Sequence, residues 1–326
     1  MMPPNRRLVL AATAALAVPL RHVRAQAEWP GRTIRMVMPF AAGGPTDLIA
    51  RLIADRLSQR LGQRVVVENR SGAGGTIGSA MVAKAPGDGH TWLFTNISHA
   101  VNKALYAQLD YDPPNDLTPL TIVAESPMVL LVPNGRPWRT LGEFVAAVRA
   151  APGRYTYASA GGGGALQLVS LLLTRAAGLQ MQEVSYRGSA PAVLDLAAGT
   201  LDMLYDAGPT GFPIARAGQA RALAVSAAQR SPAMPDLPTV VEAGFPDAVF
   251  SVWQVILVPS TTPAPLQARI GAELHAVLAE EGLRNRLTEL GAERVLGTTP
   301  AEAQRYVAAE MLRWEGILRA AGVRAQ

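Results

Sequence analysis

The chain contains no cysteine. That excludes disulfides, thiolate metal sites, a cysteine nucleophile and a lipid-modified N-terminal cysteine. Histidine is nearly as scarce: His22, His90, His99 and His275 are scattered along 326 residues without metal-ligand spacing. No nucleophile elbow, ordered Ser/His/Asp pattern or phosphate-loop lysine occurs, so neither cofactor nor metal is expected. Blocks of like charge are missing too. The 30 Lys and Arg outnumber the 25 Asp and Glu by five, but Arg6, Arg7, Arg21 and Arg24 belong to a leader, and without them the excess is one. Such a chain does not track a phosphate backbone, and nucleic acid is not an expected partner. No apolar run reaches the roughly 20 residues needed to cross a bilayer.

What is present begins with that leader. Arg6-Arg7, an apolar stretch over residues 8–20 and the small ending Ala25-Gln26-Ala27 read as a secretory signal over residues 1–27, cleaved near Ala25 to Ala27. Paired arginines suit twin-arginine as well as ordinary secretory export, and the ordinary route fits better. With no lipid anchor, the expected location is the periplasm of a two-membrane bacterium.

The most informative segment of the mature chain is residues 39–47, Pro-Phe-Ala-Ala-Gly-Gly-Pro-Thr-Asp, which joins an apolar strand-like run at 34–40 to an amphipathic helix. Gly43 and Gly44 let the backbone approach a ligand, and Thr46 or Asp47 is placed to cap the helix. The exposed first-turn N–H groups suit a carboxylate or a phosphate. A second glycine-rich connection, residues 157–164, runs into the apolar helix predicted at 165–177. Two such donor-rich loops would form opposing jaws of one cleft.

Strand-length apolar runs recur at 34–40, 64–68, 91–96, 128–133, 155–158, 183–186, 201–205, 222–226 and 252–258, alternating with helical patterns at 47–61, 76–84, 140–150, 165–177, 190–198, 265–280 and 300–321. This alternation implies α/β layers with mostly parallel sheets and ligands at the carboxyl ends of strands.

Many ordered segments resemble one family, the extracytoplasmic solute-binding proteins of tripartite tricarboxylate transporters, also called Bug-type receptors. The resemblance rests on Trp29-Pro30 with Ile34-Arg35, on the 39–47 loop with Ala50-Arg51, and on Val65-Val66-Val67-Glu68-Asn69-Arg70 followed by Gly72-Ala73-Gly74-Gly75. It continues through Asp88-Gly89, Leu105-Tyr106, Tyr111-Asp112-Pro113, Tyr157-Ala158-Ser159 and Tyr186-Arg187-Gly188-Ser189-Ala190-Pro191, and ends with Pro235-Asp236-Leu237-Pro238-Thr239, Trp253, Pro259 and Thr262-Pro263.

The resemblance implies a two-lobed periplasmic-binding-protein fold (type II, Venus-flytrap), each lobe a mostly parallel sheet flanked by helices. Lobe 1 is expected to take residues 28–126 plus 248–326, and lobe 2 residues 127–247. It further implies a monomeric receptor that captures a small organic carboxylate and presents it to the membrane subunits of a tripartite transporter. Carried onto this chain, the lobe 1 contacts are Phe40, Gly43, Gly44, Thr46 and Asp47. Those of lobe 2 are Ser159, Gly161, Gly162 and Gly163, with Asp206 as a further wall. Asn96 and Ser98 are added from their position just past the strand at 91–96.

The chain departs from the family pattern at Ala165 and Gln167, where a small hydroxyl residue and a histidine are usual. Gly87-Asp88-Gly89-His90 replaces the usual Pro-Asp-Gly-Tyr turn and reads as a surface change. The run Gly72 to Gly78 has Ile77 where a dinucleotide fingerprint needs glycine, and reads as helix-start packing. Two further readings stay open: an exported hydrolase of carboxylate esters using the same cleft, and a sensor subunit without a transporter. Arg187 could pair with a ligand carboxylate or link the lobes.

Overall fold

Strand β1 (Ile34–Met38) is buried at four of its five residues, so both of its faces must be covered. The computed structural model, which describes residues 29–160 and 164–320, covers them with helices. The expected signal segment and Gly161, Gly162 and Gly163 lie outside the described residues. β1 pairs in parallel with β2 (Val65–Asn69) and β3 (Thr91–Asn96). Between them run α1 (Pro45–Leu61) and α2 (Thr76–Ala83). α1 buries Ile49, Ile53 and Leu57 against the sheet, each worth about 1.5–3 kcal/mol, and stops at Gly62 in the left-handed conformation with φ +64°.

After α3 (Ser98–Leu105) and the short α4 (Pro113–Asp116), the chain enters β4 (Leu117–Val132), a strand of 16 residues. Its first part pairs with β9 (Ser251–Pro259), as far as Pro127 against Ser251. From Met128 onward its partners are β7 (Leu204–Ala207) and β8 (Arg221–Val225). One strand therefore serves both lobes. Ser226 ties the two crossings together: its N–H donates to Met128 O, its Oγ accepts from Met128 N and donates to Phe250 O, and its carbonyl accepts from Phe250 N.

The second lobe adds α5 (Leu141–Ala150), β5 (Thr156–Ser159), α6 (Ala165–Ala176), β6 (Gln182–Ser185), α7 (Ser189–Ala198) and α8 (Gly208–Arg216), with β5 and β6 parallel. The chain then returns to the first lobe through β9, α9 (Ala264–Ala279), α10 (Glu281–Glu289), β10 (Arg294–Val295) and α11 (Pro300–Ala320). The order β10-β4-β9-β3-β1-β2 places β9 between β3 and β4, antiparallel to both.

The α/β layers expected from the alternation and the two lobes implied by the resemblance are present, but pairing is mixed. Parallel pairs occur within the strand-helix-strand units, whereas β4 and β9, which carry the chain between lobes, run antiparallel to their neighbours. The run at 117–127 is not among the expected strands, and it contains two residues, Pro119 and Pro127, that sheets seldom accept away from edges and bulges. β4 shifts register next to Pro119, between Pro119 and Thr121, and again between Ile122 and Glu125, while Pro127 pairs in regular register with Ser251.

The turn at residues 87–90 is a packed element, which corrects the surface reading. Gly89 O accepts from the indole N–H of both Trp29 and Trp92, and a Cβ on Gly87 would lie 2.4 Å from the Thr261 carbonyl carbon.

Candidate functional site

Four helices begin at one place. α1 follows β1, α6 follows β5, α7 follows β6 and α8 follows β7, and each starts at a strand's carboxyl end. Their N-cap residues are Gly44, Gly164, Gly188 and Ala207, and none has a side-chain cap. First-turn N–H groups left uncapped carry the positive end of the helix dipole. The first residues of all four helices meet at a cavity with about 480 Å³ of empty space, part of it open to solvent. Gly44, Pro45 and Thr46 line it from α1, Ala165 and Leu166 from α6, Gly188 and Ser189 from the start of α7, and Ala207 from the start of α8. Met38, Phe40, Met128 and Val252 make the rest largely apolar. No Lys, Arg or His is among its described lining residues.

The two jaws touch. Ala41 N donates to Arg187 O at 3.1 Å, so Arg187 links the lobes through its backbone while its side chain is exposed. A Cβ on Gly44 would sit 3.5 Å from Ser189 Oγ, and one on Gly43 would sit 3.9 Å from Ala190 Cβ.

Asp47 organises the first jaw. Its Oδ2 accepts from Gly43 N at 3.0 Å and Arg51 Nε at 2.9 Å, and its Oδ1 accepts from Arg51 Nη2 at 3.1 Å and Asn69 Nδ2 at 2.9 Å. The same Asn69 amide donates to Phe40 O at 3.1 Å. Burial opposes ionisation of Asp47, but the hydrogen bonds from Arg51, Gly43 and Asn69, and the charge of Arg51, outweigh it and hold the carboxyl below its ordinary value. Asp47 therefore lines the cavity with its negative charge already matched. The expected cap by Thr46 or Asp47 is not what forms: Pro45, with its fixed φ, starts α1 two residues earlier, leaving Thr46 and Asp47 inside the first turn.

Asp206 behaves in the opposite way. It is fully buried, and burial pushes it up to about 6, despite hydrogen bonds from Thr210 Oγ1 and Ala207 N that favour the charged form. The Ser189 hydroxyl also favours the charge from nearby, although no hydrogen bond of standard geometry joins the two.

Of the residues expected at the site, Phe40, Gly44, Thr46, Asp47 and Asn96 line the cavity. Gly43 shapes the turn. Ser98 lies beneath, donating from N and Oγ to Asn96 Oδ1 at 3.0 and 2.8 Å. Ser159 is buried at the end of β5, and its carbonyl accepts from Tyr186 N. Asp206 stands behind Ala207 and is not itself part of the lining. Sequence reasoning passed over Gly188, Ser189 and Ala207. The signal available was a third strand-turn-helix step at residues 185–190, with a small residue before a helix start.

The backbone requires glycine at only one of the two neighbouring positions. Gly43 has φ +84°, whereas Gly44 has φ −80° and a methyl group there would make only an ordinary contact, 3.5 Å, with Ser189 Oγ. Gly43→Ala is expected to destabilise the fold by about 1–2 kcal/mol, the cost of a left-handed backbone for an L-residue. Gly44→Ala should melt like the wild type. Thermal denaturation of the pair checks both; equal melting points would show that the turn tolerates either.

A two-lobed α/β protein with an interlobe cavity ringed by uncapped helix N-termini is a solute-binding protein by architecture. Residues 49–323 match the tripartite tricarboxylate transporter family receptor, and the chain belongs to that family. A relative from Pseudomonas sp. (strain P51), a protein encoded in the tcbD-tcbE intergenic region, is 38% identical over 317 residues, 96% of this chain and 94% of that one. The solved structure of the periplasmic binding protein BugD is similar at TM-score 0.88 and 34% identity, covering 91% of this chain and 100% of that one. The R. palustris protein Rpa4515, solved with adipate, is similar at TM-score 0.88 and 36% identity, with coverage of 91% and 100%. The chain is thus a periplasmic solute-binding receptor and not an enzyme.

Proposed function

We propose that this receptor captures a small organic acid whose carboxylate is held by backbone N–H groups, and delivers it as a monomer to the membrane subunits of a tripartite tricarboxylate-type transporter. The convergence of four uncapped helix N-termini on one cavity without a cationic side chain among its described lining residues carries the reading. Such a site favours negative charge through fixed dipoles, and its apolar walls suit a short carbon skeleton. The adipate bound by the similar structure is an acid of this kind. In this reading the leader is removed near Ala25 to Ala27, lobe 1 comprises residues 28–126 and 248–326, and lobe 2 comprises residues 127–247. Phe40, Gly43, Gly44, Thr46, Asp47, Asn96 and Ser189 shape or line the ligand site, Asp47 with its charge paired to Arg51, and Asp206 stands behind it as a support. The glycines 161–163 would complete the second jaw.

A thermal-shift screen with mono- and dicarboxylates, acidic amino acids and neutral sugars tests this. A ligand at 100 times its dissociation constant stabilises the folded state by about 2.7 kcal/mol, a shift of several degrees. If neutral sugars raise the melting point and no acid does, the proposal is wrong.

A further inference from the structure

Gln254 lies in β9 with its side chain wholly buried, and neither Oε1 nor Nε2 has a hydrogen-bond partner among the described residues. An unpaired buried amide is costly and calls for an explanation. Its direction follows from the sheet. Val252, two residues earlier on the same strand, lines the cavity. Asn96, directly opposite Gln254 on β3, lines it too. Residues two apart on a strand share a face, as do cross-strand partners, so Gln254 lies on the cavity side of the sheet, beside the lining residues Asn96 and Val252 though not itself part of the lining. The intervening Trp253 points the other way, where its indole N–H donates to Glu310 Oε2 at 3.0 Å.

Asn96 is fixed in one orientation. Its Oδ1 accepts from the Ser98 backbone N–H, which can only donate, so its NH₂ is the group left for a ligand. Beside it stands a second side-chain amide with both polar atoms unengaged. Neither group is charged, and Asp47, the charged residue of the lining, is paired with Arg51. Two adjacent amides of which one presents only donors match an acceptor oxygen.

We propose that Gln254 is a specificity-determining residue of the cavity: with Asn96 it reads an acceptor oxygen on the ligand's second polar group, a second carboxylate or a hydroxyl or oxo oxygen. This rests on the carboxylate reading above and refines it to acids with two polar ends. Isothermal titration of wild type, Gln254→Met and Gln254→Glu with adipate against hexanoate, and succinate against butyrate, tests it. Both variants keep the side chain unbranched and of similar length, and a cooperative melt of at least one suffices. Wild type should prefer the dicarboxylate of each pair. Gln254→Met should weaken the preferred dicarboxylate about tenfold, as for one hydrogen bond to a charged group, and leave the monocarboxylate unchanged. Gln254→Glu should weaken the dicarboxylate further, because it sets a like charge opposite. Equal losses for both members of a pair, or no loss at all, would overturn the role of Gln254 and leave the receptor reading standing. Failure of wild type to bind any of the four acids would overturn both.

Discussion

Asp206→Asn is expected to stabilise the protein at pH 7 and to leave it unchanged near pH 4. Burial raises the folded-state pKa of Asp206 to about 6, above the 3.8 of an exposed aspartate. Between those values the folded state holds more protons than the unfolded state, so stability is full below the unfolded pKa and falls as pH rises through 6. The difference amounts to about 3 kcal/mol, at 1.36 kcal/mol per unit. The asparagine variant has no such slope. Its carbonyl still accepts from Ala207 N, and the Thr210 hydroxyl can turn to accept from the new amide. Urea denaturation of both proteins from pH 4 to 8 measures the effect, and parallel curves would show that Asp206 is not held uncharged. An anion bound in the adjoining cavity should raise this pKa further. Ligand binding near pH 6 should then take up protons, which calorimetry detects as a dependence of the apparent enthalpy on buffer.

Asp47→Ala is expected to lose most ligand affinity and about 2 kcal/mol of stability. The carboxylate gathers donors from Gly43, Arg51 and Asn69, and Asn69 in turn holds the Phe40 carbonyl, so one side chain fixes both ends of the loop that starts α1. The loss stays below that of a fully buried ion pair because Arg51 is half exposed and regains water. The acid response is the reverse of that for Asp206. A depressed pKa contributes stability above the unfolded value and loses it as pH falls through the lowered one, so Asp47→Ala should be less sensitive to acid than wild type. A variant that melts as wild type and binds an organic acid with unaltered affinity would show that the loop is held by other contacts.

The first jaw was legible because it is local. Gly43, Gly44, Thr46 and Asp47 lie within five residues, and the strand before them and the helix after them each carry a clear period. The helix at 47–61 was expected from Leu48, Ile49, Leu52 and Ile53 at three- and four-residue spacing, and only its first turn was misplaced, by Pro45. α8 was missed for a local reason as well: Gly208, Gly211 and Pro213 argue against a helix, yet Pro213 sits inside it. The second jaw was less legible, since Gly188 and Ser189 carry no signal beyond an ordinary turn. The apolar lining was not legible at all. Met38, Met128 and Val252 fall in apolar runs that read only as strands, and what each faces depends on pairings with residues distant in sequence, Asn69 for Met38, Ala207 for Met128 and Ser126 for Val252. Gln254 belongs to the same case, because its meaning comes from Asn96 across the sheet.

The Ser226 tie has a mechanical consequence. Met128 and Phe250 stand on the two segments that pass between the lobes, and one buried serine holds both through four hydrogen bonds. Two legs riveted side by side cannot slide or wind about each other. Swivelling should therefore be resisted and closure of the halves should approach rotation about one axis, in which case distances between several label pairs across the mouth would change together on ligand binding.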